Sequence, residues 1–265
     1  MNILAFDIET IPDVDGGRKL YELPEQLSDA DVAEAMFAKR REKTGSDFIA
    51  THLQKVVAIS AVYRNTYNDQ FSVWTLGTEQ SSEKEIVQNF FDGIEKHTPT
   101  LVTWNGSGFD LPVLHYRGMI NRVQAPRYWD LGDDDRDFKW NNYIGRFHLR
   151  HTDLMDVMAG YSNRAFAPLD EIAVLLGYPG KMGMSGSKVW SQFKDGEIKA
   201  IRDYCETDAL NTYLVYLHWC YVRGHLTDSA LQNEYNVVKA ALEKGEPHLQ
   251  EFLSAWETSM PENPK

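Results

Sequence analysis

The first residues of the chain form an apolar run that ends in two carboxylic acids. Residues 2–8 read NILAFDI, a pattern typical of a central β-strand that is covered on both faces. Asp7 and Glu9 stand at positions i and i+2, so a strand projects both side chains from one face, with Cα atoms roughly 6.6 Å apart. Two like charges in a half-buried site are unfavourable unless a cation neutralises them. The alternative is that both carboxylates extend from the strand end into water.

Predicted strands and helices follow one another along the rest of the chain. Residues 55–63 (KVVAISAVY) and 70–75 (QFSVWT) predict a hairpin, because the segment between them contains asparagine and aspartate. The order of elements predicts an α/β fold with a mixed sheet flanked by helices. Further strands are expected at 99–104 and 147–150. Helices are expected at 29–43, 81–96, 110–121 and 195–222, with shorter helices after 153 and after 168. The segments 124–143 and 177–188 are expected to be loops.

The length of the chain bounds its domain organisation. Its 265 residues correspond to between one and two domains of roughly 150 residues each. We expect one domain over 1–220, with an insertion at about 12–51 in which Ser28 caps a helix. Residues 221–265 are expected to form extra C-terminal helices packed on the same domain.

The charge balance constrains the partners of the protein. The chain has 27 basic and 39 acidic residues, and its formal net charge is −12. Proteins that bind nucleic acids are usually basic, because the neutralisation of phosphates supplies much of their affinity. The balance argues against such a partner unless acidic residues gather divalent cations, which would make one site locally positive.

Cysteine content and hydropathy argue against several other classes of protein. The two cysteines, Cys205 and Cys220, form no CxxC pair, which argues against a thiolate zinc site and a disulfide framework. The sequence contains no run of 18 apolar residues that would predict a membrane span. Its N-terminus lacks the basic region of a secretory signal. We therefore expect a cytoplasmic protein with no membrane partner.

One acid interrupts the apolar stripe of the long helix predicted at 195–222. Asp208 lies between Cys205 and Thr212 in this stripe, so it should face the core. Tyr204 precedes it by four residues and shares its helical face. An aspartate at the edge of the core, bonded to a neighbouring tyrosine or lysine, is the alternative.

Asp110 stands where a loop enters a predicted helix, in the sequence NGSGFDLP. This context suits a helix N-cap, although a carboxylate at a strand-to-helix turn can also face the crevice beyond the strand ends. If Asp7, Glu9, Asp110 and Asp208 converge, they form an all-oxygen site that suits Mg²⁺ or Mn²⁺ but not zinc. Two such ions can activate a water molecule and stabilise the leaving oxygen of a phosphodiester.

Three motifs resemble those of the DEDD superfamily of 3′–5′ exonucleases. They are FDIET at 6–10, NGSGFDLP at 105–112 and YCETD at 204–208, the last being the YxxxD motif of the DEDDy branch. FDIET and FDLP are especially similar to the proofreading exonuclease of B-family DNA polymerases and to stand-alone bacterial exonucleases predicted from that likeness. The resemblance covers about 1–220 and implies a ribonuclease H-like fold with a mixed five-stranded sheet.

The resemblance also implies the roles of individual residues. Asp7, Glu9, Asp110 and Asp208 would hold two divalent ions, Mg²⁺ or Mn²⁺. Tyr204 would orient the attacking water, since a tyrosine with an ordinary pKa of about 10 is a poor base at neutral pH. The residues that would contact the substrate are Thr10, Ile11, Asn105 and Phe109. For Ile11, Asn105 and Phe109, packing within the loop is the alternative.

The activity implied by the resemblance is the removal of nucleoside 5′-monophosphates from the 3′ end of single-stranded nucleic acid. DNA is favoured as the substrate over RNA. An RNA-specific or structure-specific nuclease on the same fold, and a catalytically silent nucleic-acid-binding module, are the alternatives. A polymerase or a repair protein would be compatible as a partner.

Other charged residues have simpler interpretations. The sequence DDDRD at 133–137 predicts a solvated acidic loop. Asp153 is expected to cap a helix or to support a ligand, and His148 and His151 to be structural or surface residues. Three basic residues are candidates for phosphate contacts: Arg150, Lys181 and Lys188.

Overall fold

A five-stranded mixed sheet forms the centre of the computed structural model, which describes residues 1–259. Its strands are β1 (Asn2–Pro12), β2 (Gln54–Asn65), β3 (Gln70–Thr75), β4 (Thr100–Thr103) and β5 (His151–Asp153). The strand order is β3-β2-β1-β4-β5. β1 pairs antiparallel with β2 and parallel with β4, β2 pairs antiparallel with β3, and β4 pairs parallel with β5.

Helices cover both faces of this sheet. Those of residues 1–259 are α1 (Val14–Tyr21), α2 (Asp29–Thr44), α3 (Glu83–His97), α4 (Asp110–Asn121), α5 (Pro126–Trp129), α6 (Leu154–Met158), α7 (Leu169–Leu175), α8 (Val189–Lys194), α9 (Ile198–Val222), α10 (Asp228–Leu242) and α11 (Pro247–Ser259). α9 packs on one face of the sheet with α7, α10 and α11, and α3 and α4 pack on the other. The architecture is the α/β, ribonuclease H-like fold that the sequence predicts.

Alternate residues of β1 face these two helical layers. The even-numbered apolar residues pack against α3 and α4, whereas Ile3 and Ala5 pack against α9 and its neighbours. A strand repeats every two residues, so Asp7 and Glu9 continue the face that α9 covers. The apolar run at the start of the chain therefore places both acids under α9.

Most predicted elements agree with the structure, although α1 in the insertion was not predicted and several elements in the second half of the chain differ. The hairpin of β2 and β3, the helix at 110–121 and the long helix α9 are confirmed, and β1 continues as far as Pro12. The strand predicted at 147–150 is wrong, because Phe147 and Leu149 are 72% and 54% exposed. The pairing with β4 begins at His151 instead. The predicted loop at 124–143 contains the short helix α5.

The insertion after β1 carries α1 and α2. The side chain of Ser28 accepts a hydrogen bond from the amide of Asp31 and caps α2, as predicted. Asp13, at the start of the insertion, lies 2.6 Å from a guanidinium nitrogen of Arg117, whose other nitrogens bind Glu83. This buried ion-pair network anchors the insertion to α3 and α4.

The chain beyond residue 221 continues the helical layer on α9. α10 and α11 share the core of α9, and Phe252 and Trp256 are fully buried there. Residues 260–265, the end of the predicted extension, lie outside the described residues, and the proposed domain boundaries stay a prediction. Within residues 1–259, none of the helices has the length and apolar character needed to cross a membrane.

Candidate active site

The two acids of β1 lie on a part of the strand that β4 leaves uncovered. β4 pairs only with residues 3–5 of β1, whereas pairing with β2 continues to Pro12. The register between β1 and β2 shifts between Glu9 and Thr10. Such irregularities redirect side chains beside functional sites. Asp7 and Glu9 therefore stand at an open edge in the middle of the sheet.

Asp110 reaches this edge from the first turn of α4, and its side chain is almost completely buried. The N-cap interpretation is wrong, because the residue at the N-cap is Phe109, which makes no side-chain capping bond. Burial raises the pKa of the Asp110 carboxyl, and the nearby backbone of Ile8 partly offsets this rise. Asp110 therefore lies next to β1.

α9 supplies Tyr204 and Asp208 from successive turns. Burial raises the pKa of Asp208, whereas the neighbouring hydroxyl of Tyr204 and the charge of Lys181 oppose this rise. The tyrosine and lysine partners of the alternative interpretation are therefore present. Asp208 nevertheless interacts with the other acids, because the charge of Asp208 raises the pKa of both Asp7 and Glu9.

Burial and mutual repulsion raise the pKa values of the acids. Burial is the largest cause for Asp7, followed by the charges of Asp110, Glu9 and Asp208. The pKa of Glu9 is raised by burial and then by the charges of Asp208 and Asp110. Burial raises the pKa of Asp110 to about 7 and that of Asp208 to about 6. Four carboxylates in these surroundings cannot all stay ionised at neutral pH without a compensating cation.

Two of the four acids lie close enough together, with a cysteine, to hold one cation between them. None of these four acids forms an ion pair within the part of the chain that the structure covers. One oxygen each of Asp7 and Glu9 and the sulfur of Cys205 all lie within 4.8 Å of one another. Carboxylate oxygens suit Mg²⁺ and Mn²⁺, whereas a thiolate suits softer ions. The set therefore contains hard donors together with one soft donor.

Sequence reasoning missed Cys205 as a member of this site. It treated the residue as part of the apolar stripe and considered thiolate chemistry only in CxxC pairs. Cys205 follows Tyr204 directly and is buried, with its thiol directed at the carbonyl oxygen of Asp7. Its position inside the YxxxD motif was the available signal.

A cavity of about 500 Å³ opens beside the acids. Asp7, Tyr204 and Asp208 line it, together with Asn105 and Lys181. Glu9 and Asp110 are buried and do not contribute to the lining. The predicted catalytic residues thus divide into a layer that borders the cavity and a layer beneath it.

Two of the predicted substrate contacts, Asn105 and Thr10, differ in their environments. Asn105 lines the cavity of the acids and has a positive φ of 64°, a left-handed conformation that asparagine tolerates better than most residues. The hydroxyl of Thr10 is 3.0 Å from the side-chain oxygen of Gln54 and donates to it. Asn105 is therefore free to face a ligand, whereas Thr10 is engaged with β2.

The other two predicted contacts are packed inside the protein. Ile11 is only 4% exposed and belongs to the apolar cluster of Ile201 and Cys205. This burial favours the loop-packing alternative for Ile11, because a substrate base would have to open this core to contact it. The ring of Phe109 lies 5.4 Å from the exposed ring of Phe48, which the insertion supplies. Phe109 thus has a protein partner that the sequence did not indicate.

The loop that carries Asn105 is held by Asp153. The two carboxylate oxygens of Asp153 accept hydrogen bonds from the amides of Asn105 and Ser107, at 2.9 and 2.8 Å. Asp153 also caps α6, as predicted. His151 is buried beside it, with Nε2 2.8 Å from the Thr103 hydroxyl, which agrees with a structural role.

The acidic loop at 133–137 does not line the cavity of the acids. Most of its side chains are exposed, as predicted for a solvated loop. The carboxylate of Asp130 holds the loop by accepting hydrogen bonds from the amides of Gly132 and Asp135, at 2.8 and 3.0 Å. His148 has a similar local role, since its Nδ1 accepts a bond from the amide of Asn142.

The three candidate phosphate contacts occupy different positions. Lys181 lines the cavity of the acids. Lys188 lines a smaller cavity of about 330 Å³ on the other side of Tyr204. Arg150 lies 4.0 Å from the ring centroid of Phe138 and donates to a backbone oxygen of the neighbouring loop. Among the three, Lys181 is the one that shares a cavity with the acids.

Comparison with known proteins places this geometry in a family. Residues 46–256 match the family described as a predicted 3′–5′ exonuclease related to the exonuclease domain of PolB. The matched range contains Asp110, Tyr204 and Asp208 and begins after Asp7 and Glu9.

Two similar proteins are catalytic subunits A of DNA polymerase epsilon. Identity is 22% over 222 residues with the protein of Aspergillus fumigatus and 21% over 222 residues with that of Emericella nidulans. Each comparison covers 82% of this chain and 9% of the relative, so the chain spans less than a tenth of the length of either. Because the family match extends over most of its length, the protein belongs to the family of predicted 3′–5′ exonucleases related to the exonuclease domain of PolB.

Proposed function

We propose that the protein hydrolyses phosphodiester bonds at the 3′ end of single-stranded nucleic acid and releases nucleoside 5′-monophosphates. The proposal is supported by the burial of Asp7 and Glu9 and by the charges of Asp110 and Asp208, which raise the pKa of both. The acids come from three elements, and burial raises the pKa of each one. A protein gains no stability from such a cluster, so binding of cations is its most economical explanation.

The proposed cofactors are two divalent ions, Mg²⁺ or Mn²⁺, held by Asp7, Glu9, Asp110 and Asp208. When bound, the ions would supply the positive charge that activates a water molecule and stabilises the leaving oxygen. The protein's part is to keep four oxygen donors close together and out of water. Lys181 adds a further positive charge at the same cavity, which favours the approach of a phosphate.

Tyr204 is proposed to position the attacking water. Burial raises the pKa of its hydroxyl, and the charges of Asp208 and Glu9 raise it further. The phenol therefore stays protonated at neutral pH and cannot act as a general base. A protonated hydroxyl can donate one hydrogen bond and accept another, which suits the orientation of a water molecule beside the scissile phosphorus.

DNA is the favoured substrate of the proposal. The relatives with 22% and 21% identity are subunits of DNA polymerases, and the family is related to a polymerase exonuclease domain. An RNA-specific nuclease would use the same acids. The substrate is therefore best decided by direct comparison of the two nucleic acids.

The test is digestion of 5′-labelled single-stranded DNA and RNA of one sequence with Mg²⁺, Mn²⁺ or EDTA. We expect a ladder that shortens from the 3′ end, faster on DNA, and no products in EDTA. Asp7→Asn should slow digestion by at least about a hundredfold, the order of effect expected when one group that stabilises the transition state is lost. Asp92→Asn is the matched control, since Asp92 is exposed on α3.

Three results would contradict the proposal. Cleavage of a circular single strand would indicate an endonuclease, because a circle has no 3′ end. Digestion of RNA alone would indicate an RNA-specific enzyme. Binding of the oligonucleotide without hydrolysis in either metal would indicate a catalytically silent module.

A further inference from the structure

A second cavity lies next to the cavity of the acids. Its volume is about 490 Å³, within the range of about 300–1,000 Å³ that is usual for small-molecule sites. Asn105 and Phe166 line both cavities. The two cavities therefore meet at these residues and form one groove around the loop between β4 and α4.

Arg146 lines the second cavity and is held in place by a buried acid. Its Nε and Nη2 donate to the two carboxylate oxygens of Asp156, at 2.9 and 3.0 Å. The Asp156 side chain is 7% exposed and the Arg146 side chain 51%. Arginine has five N–H donors, and within residues 1–259 its Nη1 has no protein partner. Arg146 is thus oriented by the protein but keeps donors for an anion such as a phosphate.

Aromatic side chains continue from Phe166 along the same rim. Phe166, Tyr161 and Phe147 are all exposed. The Arg146 guanidinium lies 5.5 Å from the centroid of the Tyr161 ring, and the rings of Phe147 and Tyr161 are 4.9 Å apart. Exposed aromatic rings beside cations are the surfaces on which the bases of single strands stack.

The charge of this rim is unusual for the chain. Arg164 is exposed two residues before Phe166, and it forms no ion pair with any described residue. Arg146 therefore presents a guanidinium at the groove, and Arg164 adds an exposed one close to Phe166 in the sequence, in a protein whose formal net charge is −12. Basic groups and exposed aromatic rings together suit the phosphates and bases of a single strand.

We propose that the second cavity binds the nucleotides that precede the terminal one in the substrate strand. Arg146 contacts a backbone phosphate there, and Phe166 stacks on a base where the two cavities meet. Asp156 is a positioning residue that keeps the Arg146 guanidinium in the groove. The direction of the strand rests on the proposed function, in which the acids hold the phosphodiester at the 3′ end.

The first test measures binding of a fluorescent decamer of DNA with phosphorothioate linkages at its 3′ end, in Mg²⁺ and at several salt concentrations. Arg146→Gln should weaken binding of the decamer at least fivefold. It should also reduce the slope of the logarithm of the binding constant against the logarithm of the salt concentration by about 0.7, the value for one phosphate contact on a single strand. Phe166→Ala should weaken binding about fivefold or more without changing the slope. An unchanged affinity in both variants overturns the proposal.

The matched control is Arg223→Gln, which removes the same charge from an exposed arginine. Arg223 stacks on Trp219 at the end of α9, about 22 Å from Asp208 at about 1.5 Å per helical residue. Its substitution should leave the salt slope unchanged, and an equal fall in slope would show that net charge alone is responsible. Because Arg146→Gln leaves Asp156 buried without a partner, the double variant Arg146→Gln/Asp156→Asn is measured as well and should reproduce the loss.

A second measurement separates this proposal from the proposed function. The ratio of kcat/KM for a decamer to kcat/KM for a dinucleotide should fall at least fivefold in Arg146→Gln, because a dinucleotide does not extend into the second cavity. An unchanged ratio overturns the proposal. If neither substrate is hydrolysed but Arg146→Gln still weakens binding and lowers the salt slope, the proposed function fails while the second binding site stands.

Discussion

The sulfur of Cys205 lies 3.3 Å from the carbonyl oxygen of Asp7 and 3.7 Å from its carboxylate oxygen Oδ2. This contact joins α9 to the end of β1. Cys205 stands between Tyr204 and Asp208 on α9, so its packing determines how closely these side chains approach the acids of β1.

Replacement of Cys205 by alanine should therefore affect turnover more than folding. We expect Cys205→Ala to lower kcat about fivefold to tenfold, because Asp7 loses the group that packs against it. Cys220→Ala is the control, since Cys220 is also a buried, free cysteine on α9 but belongs to the core beside Tyr216. Its kcat should stay within about twofold of wild type. Equal kcat values in the two variants would contradict this role of Cys205.

Binding of a divalent cation should stabilise the folded protein. A ligand present at a hundred times its Kd adds about 2.7 kcal/mol, which corresponds to a rise in Tm of roughly 5–10 °C for a chain of this size. We expect this rise with Mn²⁺ relative to EDTA, measured by differential scanning calorimetry. Asp208→Asn should lose at least half of it. A full rise in that variant would remove Asp208 from the set of ligands.

The stability of the metal-free protein should fall as the pH rises above about 6.5. Burial raises the pKa of Asp110 to about 7, above its value in the unfolded chain, so the folded protein binds this proton more tightly. Stability from this group is present at low pH and is lost as the pH rises through about 7. The buried histidines His115 and His151 have pKa values lowered by burial to about 4, so they are neutral throughout this range in the folded state.

The measurement is Tm in EDTA between pH 6.5 and 8.5. Wild type should lose about 2–3 °C over this range through Asp110, and Asp110→Asn should lose less and have the higher Tm at pH 8.5. A Tm of wild type that rises with pH would contradict the protonation of the buried acids.

Tyr204→Phe should slow hydrolysis less than loss of a carboxylate does. We expect a fall in kcat of about tenfold to a hundredfold with KM nearly unchanged, because the hydroxyl positions water and does not bind the strand. Asp208→Asn is compared in the same assay and should be slower still. If the two variants are equally slow, the Tyr204 hydroxyl contributes more to catalysis than the positioning of a water molecule.

Local sequence patterns predicted much of the fold and most of the site. The apolar run of residues 2–8 predicted β1, and the cap at Ser28 predicted the start of α2. These signals depend on neighbours within a few residues. The order of the acidic motifs likewise identified a family to which the chain belongs.

Several features depended on residues that are distant in the sequence. The strand β5 begins at His151 because β4 pairs there, and not at 147–150, where the sequence predicted a strand. Ile11 is buried because α9 covers the end of β1, and Phe109 packs on Phe48 of the insertion. Each outcome depends on which surfaces meet after the chain has folded.

The sequence by itself determined which residue types carry the chemistry and on which elements they stand, because strand and helix periods are local properties. Only the tertiary structure decided that Cys205 joins Asp7 and Glu9, that Asp110 faces β1 instead of capping α4, and that a second cavity adjoins the first. These relationships arise from packing between elements up to about 200 residues apart, and local periodicity does not encode the distances between such elements.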